Sequence, residues 1–394
     1  MKNKIVFALI TIFLLSCQSK PVAPEDAVFD AKEERTQQQN TEIPPAHTPP
    51  AAQTHTVTFA AVGDNLFHES LINAALKEDG TYDFSPLYTE IKPIIQKADL
   101  AFINQETVMA GERFGYSGYP QFNTPQSLAR THVETGFDIM NLANNHAMDK
   151  GRDGLYATLD FLSTIPELTV IGARKEGPSA RIVTKNNITF GFLSYTFSLN
   201  GIALPRDNPN LVSMIDRHKM THEIHALRPL CDFLIVSMHW GDEYQLEPNR
   251  EQINLARFLA DHNVDLIIGH HPHVLQRADK LPRHDGKETY VFYSLGNFAS
   301  HQRERERIIG GMMILTFKKT GEELSITDFA MIPVITHYDR NFRNTKLYPL
   351  YAYTEELLAN HRLKNEGPGL SMDFFRGVTN RLNVKIITQN PFNH

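Results

Sequence analysis

The stretch Ile267-Ile268-Gly269-His270-His271-Pro272-His273-Val274 decides how this chain reads. A short apolar run over 264–268 stops at a glycine and then presents His270, His271 and His273 in quick succession. Apolar runs of this length bounded by glycine read as buried strands. Neutral imidazole is the commonest protein metal ligand, so a strand that empties into histidines is a metal-site signature. Other stretches end the same way. The run over 56–62 precedes Gly63-Asp64-Asn65, and that over 98–103 precedes Asn104-Gln105-Glu106. The run over 137–142 precedes Ala143-Asn144-Asn145-His146, and that over 232–238 precedes His239-Trp240-Gly241-Asp242.

Between these strands lie helical patterns at 69–77, 86–97, 151–162, 218–230 and 248–262, with a further helix start at Pro125. In the 248–262 helix, Ile253, Ala256, Phe258 and Leu259 form the apolar side. Further strands are expected at 168–172, 188–195, 289–294, 308–317 and 324–334. Strands alternating with helices argue for an α/β class. In open α/β sheets ligands gather at the carboxyl ends of strands, which is where the polar motifs stand.

The chain has 394 residues, 41% hydrophobic and 21% charged, ordinary values for a globular protein. A net charge of −6 argues against nucleic acid as a partner. Residues 1–17 read as a lipoprotein signal peptide: Lys2 and Lys4, an apolar run over 5–15, then Leu14-Leu15-Ser16-Cys17, which resembles a lipobox. Cys17 is the expected lipidation site, giving an extracytoplasmic, membrane-anchored lipoprotein in the cell membrane or an outer membrane. Residues 18–55 are Pro- and Gln-rich with few large apolar residues, and read as a disordered tether. The folded domain is expected over 56–340. A partly helical C-terminal extension, 341–394, follows, its last thirty residues loosely packed and 353–363 its helix. Cys231, the other cysteine, reads as a buried small apolar residue.

The candidate ligands are Asp64, Glu106, Asn145, His146, His239, His271 and His273, with His68 and His270 in reserve. Carboxylate, amide oxygen and imidazole together suit Mn, Fe or Zn better than Ca or Mg. The set is too large for one ion. Two divalent transition-metal ions bridged by a carboxylate, Asp64 or Glu106, would use it well. His146 is then placed to act as a general acid toward a leaving oxygen.

Gly63-Asp64, Asn104-x-Glu106, Ala143-Asn144-Asn145-His146, His239-Trp240-Gly241, Gly269-His270-His271-Pro272-His273-Val274 and Ser294-Leu295-Gly296-Asn297-Phe298 resemble the motif set of the CapA family. These are poly-γ-glutamate capsule biosynthesis proteins, which resemble calcineurin-like metallophosphoesterases. The resemblance covers about 57–335. It implies a four-layered α/β/β/α metallophosphoesterase-like sandwich around a dinuclear metal site. It implies Asp64 as the first metal carboxylate, Glu106 where the phosphoesterases have a bridging aspartate, and Asn145 with His146 as their Asn-His pair. It further implies His239 as the isolated ligand and His271 with His273 as the final His-x-His, while His270 offers a competing register. Two departures stand out. The second motif is Asn104-Gln105-Glu106 rather than an aspartate after glycine, and Leu66 stands where the first motif has a histidine.

Asn104, Asn297 and Arg303 are the candidate substrate contacts, with Arg307 an alternative to Arg303 because arginine binds carboxylate and phosphate bidentately. Capping a tight turn is the competing role for Asn297. Trp240 reads as packing beside the site, and 111–119 as a surface loop or a lid. Two functions follow. One is a two-metal hydrolase or transferase acting on an anionic envelope polymer such as poly-γ-glutamate. The other is a non-catalytic polymer-binding or scaffold subunit partnered with capsule synthase subunits.

Overall fold

The computed structural model describes residues 52–342 and 344–392. The expected signal peptide, Cys17 and almost all of the tether lie outside these residues. No helix among the described residues is long and apolar enough to cross a membrane.

Among the described residues fifteen strands form two sheets. In chain order they are β1 (Thr54–Asn65), β2 (Leu100–Gln105), β3 (Ile139–Asn141), β4 (Thr169–Ile171), β5 (Arg181–Lys185), β6 (Ile188–Thr196), β7 (Phe233–His239), β8 (Leu266–His270), β9 (Ala278–Pro282), β10 (Glu288–Phe292), β11 (Asn297–Ala299), β12 (Ile309–Thr320), β13 (Glu323–His337), β14 (Lys346–Pro349) and β15 (Lys385–Ile386). The first sheet runs β14-β13-β12-β1-β2-β3-β4, with β11 on β1 and β15 on β13. The second runs β5-β6-β7-β8-β10-β9. The neighbours β1-β2-β3-β4 and β6-β7-β8-β10 pair in parallel, so the carboxyl ends within each set point the same way.

Side-chain alternation along the strands builds the layers. Val57, Phe59 and Ala61 of β1 pack with Phe102, Ile139, Phe190, Phe192, Ile235 and Ile268, filling the space between the sheets. Ala60 and Val62 face the other way, onto the helices Glu69–Ala75, Ser127–Thr135 and Gly151–Leu162. Leu193, Val236 and Ile267 pack outward against the helices Arg217–Leu227 and Arg250–Asp261. The result is an α/β/β/α sandwich. Its central strands are buried on both faces, which is why they read as near-continuous apolar runs.

Local departures from the sequence reading have local causes. The helix expected over 86–97 is two turns, Ser85–Tyr88 and Lys92–Ile95. Pro93 has no N–H to give Thr89, so the helix restarts there. The helix expected over 248–262 spans Arg250–Asp261 and begins in a capping box made by Asn249 and Gln252. Its buried side is Leu255, Ala256, Leu259 and Ala260, whereas Ile253 is 40% exposed. Gln252 takes an inward position instead, donating to Gln276 Oε1 at 2.8 Å. Strands β5 and β9 escape sequence reading because they are sheet edges with charged, half-exposed residues. The helix expected over 353–363 is shorter, Glu355–Asn360, followed by a 3₁₀ turn at Arg362–Asn365.

The C-terminal residues are not loosely packed. β14 and β15 extend the first sheet, and Phe375 and Leu382 are fully buried in the core between the sheets. Cys231 is half-buried rather than buried, and burial pushes its thiol up to about 11, leaving it unreactive near neutral pH.

Candidate metal centre

The carboxyl ends of β1, β2, β3, β7 and β8 meet over one fully buried patch. Asp64 and Glu106 come from the first sheet; His239, His271 and His273 come from the second. Asp64 reaches the patch through a break in register. Strand β1 shifts against β2 between Val62 and Asp64. Simple alternation would put Asp64 beside Ala60 and Val62, under the helices. The bulge turns it into the space between the sheets and sends Asn65 to the helix side, where it meets Tyr88 and His132. Gly63 makes this possible: a Cβ there would lie 1.9 Å from Gly296 O.

A buried relay then fixes Asp64. Asn104 Nδ2 donates to Asp64 Oδ1 at 2.8 Å, and Asn141 Nδ2 donates to Asn104 Oδ1 at 2.8 Å. Asn104, expected to contact substrate, is therefore a carboxylate-orienting residue with both ends of its amide engaged. The other oxygen of Asp64 meets His273 Nδ1 at 3.0 Å and accepts from the His271 backbone N–H at 3.2 Å. His271 and His273 both adopt positive φ, 96° and 58°. Such strain costs about 1–3 kcal/mol per residue and concentrates at functional sites.

Glu106 is the contrast. It is fully buried, and neither carboxylate oxygen has a hydrogen-bond partner. Its Oε1 lies 3.4 Å from His239 Nε2 and 3.7 Å from His273 Nε2. Burial, reinforced by the Asp64 charge, pushes its carboxyl up to about 8. Burial also raises Asp64, but the imidazoles of His270 and His273 outweigh it and hold that carboxyl well below its usual range. Burial lowers His273, yet the carboxylates Glu106 and Asp64 reverse this and lift it to about 9. Burial holds His239 and His271 far below the usual imidazole value, so both are neutral, as a ligand must be.

Two ligand groups stand out, in each of which one ligand atom per residue lies within 4.8 Å of the others. They are Asp64 with Glu106 and His273, and Glu106 with His239 and His271. Glu106 belongs to both. An isolated buried carboxylate costs several kcal/mol unless it is paired or coordinates a cation. A pair of divalent cations sharing Glu106 fits this donor set. Asn145 adjoins the second group, with His239 Nε2 donating to its Oδ1 at 2.7 Å.

Other candidates fall into place around these. His146 is almost fully buried, and its Nδ1 lies 2.8 Å from Asp149 Oδ2. That leaves Nε2 as the atom free to hold or release a proton. His270 stacks on Phe102 with its Nδ1 3.5 Å from Asp64 Oδ1, and joins neither group. His68 is half-buried at the edge, its Nδ1 3.2 Å from Leu66 O. Asn297 Nδ2 donates to Gln302 Oε1 and to Arg307 O, which makes it a brace for the following loop. Arg303 is exposed and lies over Phe342. Arg307 is the arginine on the site side: its guanidinium sits 3.4 Å from the Tyr244 ring, whose centroid is 6.1 Å from that of His273. Trp240 is packing, donating to Tyr293 O at 2.9 Å. The 111–119 loop is stapled by Asn123, whose Nδ2 donates to Gly111 O and Gly115 O.

Sequence reading passes over Asp149, Asn141 and Glu243. Asp149 orients His146, and Asn141 reaches Asp64 through Asn104, both from outside the motif positions. Glu243 lies on the loop after β7, and an oxygen of it is within 4.8 Å of nitrogens of both His271 and His273. Its only signal is its place just beyond His239-Trp240-Gly241-Asp242.

Residues 58–302 match the family described as bacterial capsule synthesis protein PGA_cap. The chain is 30% identical over 227 residues to the PGA biosynthesis protein CapA of Bacillus subtilis (strain 168), covering 55% of this chain and 57% of that one. It is 28% identical over 259 residues to the capsule biosynthesis protein CapA of Bacillus anthracis, covering 62% and 60%. The chain thus spans less than two thirds of the length of these relatives. Among solved structures it is similar to a phosphatase from Mycoplasma pneumoniae, at 14% identity and a TM-score of 0.45, over 72% of this chain and 95% of that one.

Proposed function

We propose, because this chain belongs to the bacterial capsule synthesis protein PGA_cap family, that it is a two-metal hydrolase or transferase acting on an anionic substrate during synthesis of a capsule or envelope polymer such as poly-γ-glutamate. The observation that carries this reading is Glu106, a buried carboxylate without a hydrogen-bond partner, shared by two ligand groups. Two divalent ions, Mn, Fe or Zn, would there polarise a phosphoryl or acyl oxygen and lower the pKa of a water.

The chain's own residues supply the rest. Asp64 is held in one orientation by Asn104 and Asn141, so the site is built before substrate arrives. His146, oriented by Asp149, delivers a proton from Nε2 to the leaving oxygen. Arg307 beside Tyr244 orients the anionic group of the substrate. The tether then carries lipid on Cys17 and keeps the domain at an extracytoplasmic membrane surface.

The test is elemental mass spectrometry on the full chain, purified without chelators or affinity histidines. About two transition-metal ions per chain, reduced in His271→Ala, support the reading. No bound metal after incubation with Mn, Fe and Zn would remove it.

A second reading, a polymer-binding subunit without turnover, is favoured by one observation. Among the described residues the exposed large aromatics are Tyr119, Phe197 and Tyr244, at 78%, 46% and 37% exposure. All three border this site. Phe197 lies 4.7 Å from His271, Tyr244 lies 6.1 Å from His273, and Tyr119 packs on Phe122, which touches His146. Loss of polymer binding in Phe197→Ala and Tyr244→Ala, with capsule assembly insensitive to His146→Ala, would favour this reading.

A further inference from the structure

We propose that Glu243 is a metal ligand, closing from the solvent side the ion position formed by Asp64, Glu106 and His273. This rests on the two-metal reading above and extends it to a residue outside the motif set.

The two ligand groups are unequal. Glu106, His239 and His271 have Asn145 beside them, a fourth oxygen donor 2.7 Å from His239 Nε2. Asp64, Glu106 and His273 form a group of three: His270 Nδ1 lies 3.5 Å from Asp64 Oδ1 but does not group with all three. Transition-metal sites of this donor type take four or more ligands. Leu66 is apolar and buried, and provides none. Glu243 is the one further carboxylate among the described residues that groups with these ligands, within 4.8 Å of both His271 and His273. Glu106 approaches from the buried side; Glu243 is exposed and approaches from the open side.

The loop that carries Glu243 is built to stay there. Trp240 N donates to His270 O at 3.1 Å, and Tyr244 N donates to Pro272 O at 2.8 Å. Pro272 stands between the two ligand histidines, so the 240–244 loop is tied to the histidine loop on both sides of Glu243. Gly241 turns the chain at φ 86°, with Gln252 so close that a Cβ would meet it at 2.6 Å. Arg307 over the Tyr244 ring pins the far end. Asp242 is otherwise engaged, accepting from Asn249 Nδ2 at 2.7 Å. An exposed carboxylate on a fixed loop is an exchangeable ligand. An incoming anionic group can displace it, whereas it cannot displace the buried Glu106.

The test is calorimetric titration of Mn²⁺ into the chelator-stripped full chain, comparing wild type, Glu243→Gln and Glu243→Asp. The expected result is two ions for wild type and, in Glu243→Gln, one ion bound as before and the other weakened by about tenfold or more. Glu243→Asp keeps the charge on a shorter arm and falls between. Equal thermal midpoints of the stripped proteins exclude a folding defect. Two ions bound with unchanged affinity in Glu243→Gln would overturn the proposal and leave the two-metal reading intact. A wild type that binds no ion would overturn both.

Discussion

His239 Nε2 stands 3.4 Å from Glu106 Oε1, inside a fully buried site, without hydrogen-bonding it. The imidazole turns its Nε2 to Asn145 Oδ1 at 2.7 Å, which leaves the buried Glu106 carboxyl without a partner. That relationship makes Glu106→Gln the most informative substitution. Because Glu106 belongs to both ligand groups, the variant is expected to lose both ions together rather than one. In chelator-stripped protein above about pH 8, where Glu106 is ionised, the same change should raise stability by about 1–3 kcal/mol, since a neutral amide replaces an unpaired carboxylate. Metal analysis with urea unfolding checks both signs; retention of one full ion would contradict the shared role.

His146→Ala should lower kcat by about 10²–10⁴-fold, the usual worth of a positioned general acid. Metal content should stay near that of wild type, because His146 belongs to neither ligand group. Asp149→Asn should cost less in rate and shift the pH profile, since it disturbs the proton at Nδ1 rather than removing the acid. Steady-state kinetics on a phosphoester substrate is the measurement. A His146→Ala enzyme with wild-type kcat rules the acid role out.

Gly269→Ala should be severe although it removes nothing chemical. A Cβ at Gly269 would lie 1.9 Å from Tyr293 O, where β8 passes the end of β10. The strand must move, and His270, His271 and His273 move with it. A destabilisation of about 3 kcal/mol or more is expected, together with weakened metal binding. Chemical denaturation and metal titration would show it; a variant as stable as wild type would mean the two strands part easily.

Histidines away from the metal centre predict sensitivity to mild acid. Burial lowers His132 to about 3, His301 to about 3 and His361 to about 4. Each folded value lies below the ordinary value of about 6.5. The folded state therefore binds fewer protons than the unfolded chain. The stability is fully present above pH 6.5 and is lost as the pH falls toward the folded values. Between pH 6.5 and 5 each such group costs about 2 kcal/mol. Urea unfolding at pH 7.5 and 5 should show the fall. His132→Gln, which keeps an acceptor for Asn65 and Tyr88, should reduce the pH slope. An unchanged slope would discard His132 as a contributor.

Much of the site was legible because its residues follow apolar runs. A strand buried on both faces writes itself as a run such as 264–268, and the first polar residues after it stand at its carboxyl end. Glu106, His239, His271 and His273 were found that way, and the structure brings them together with Asp64. Asn104 was found by the same rule and assigned the wrong partner. Its place after the strand says nothing about which neighbour its amide meets, and that neighbour is Asp64 rather than a ligand in the cleft. Arg303 and Arg307 share one charged run, and only the path of the loop separates the arginine over Phe342 from the one over Tyr244. Ile253 shows the same limit on a helix: its spacing permits an inward position, but the capping role of Gln252 turns another face to the core.

The chain alone determined its α/β character and which residues would stand at strand ends, because burial and side-chain alternation act over a few neighbouring positions. Tertiary structure decided which way Asp64 points, since that depends on the register shift of β1 against β2 and on Gly63 passing Gly296. It decided that Glu106 is common to two ligand groups and that Glu243 stands beside two of the same histidines. These are distances between loops from opposite sheets. They are set by how the two sheets pack, a long-range balance of buried apolar surface that no local spacing encodes.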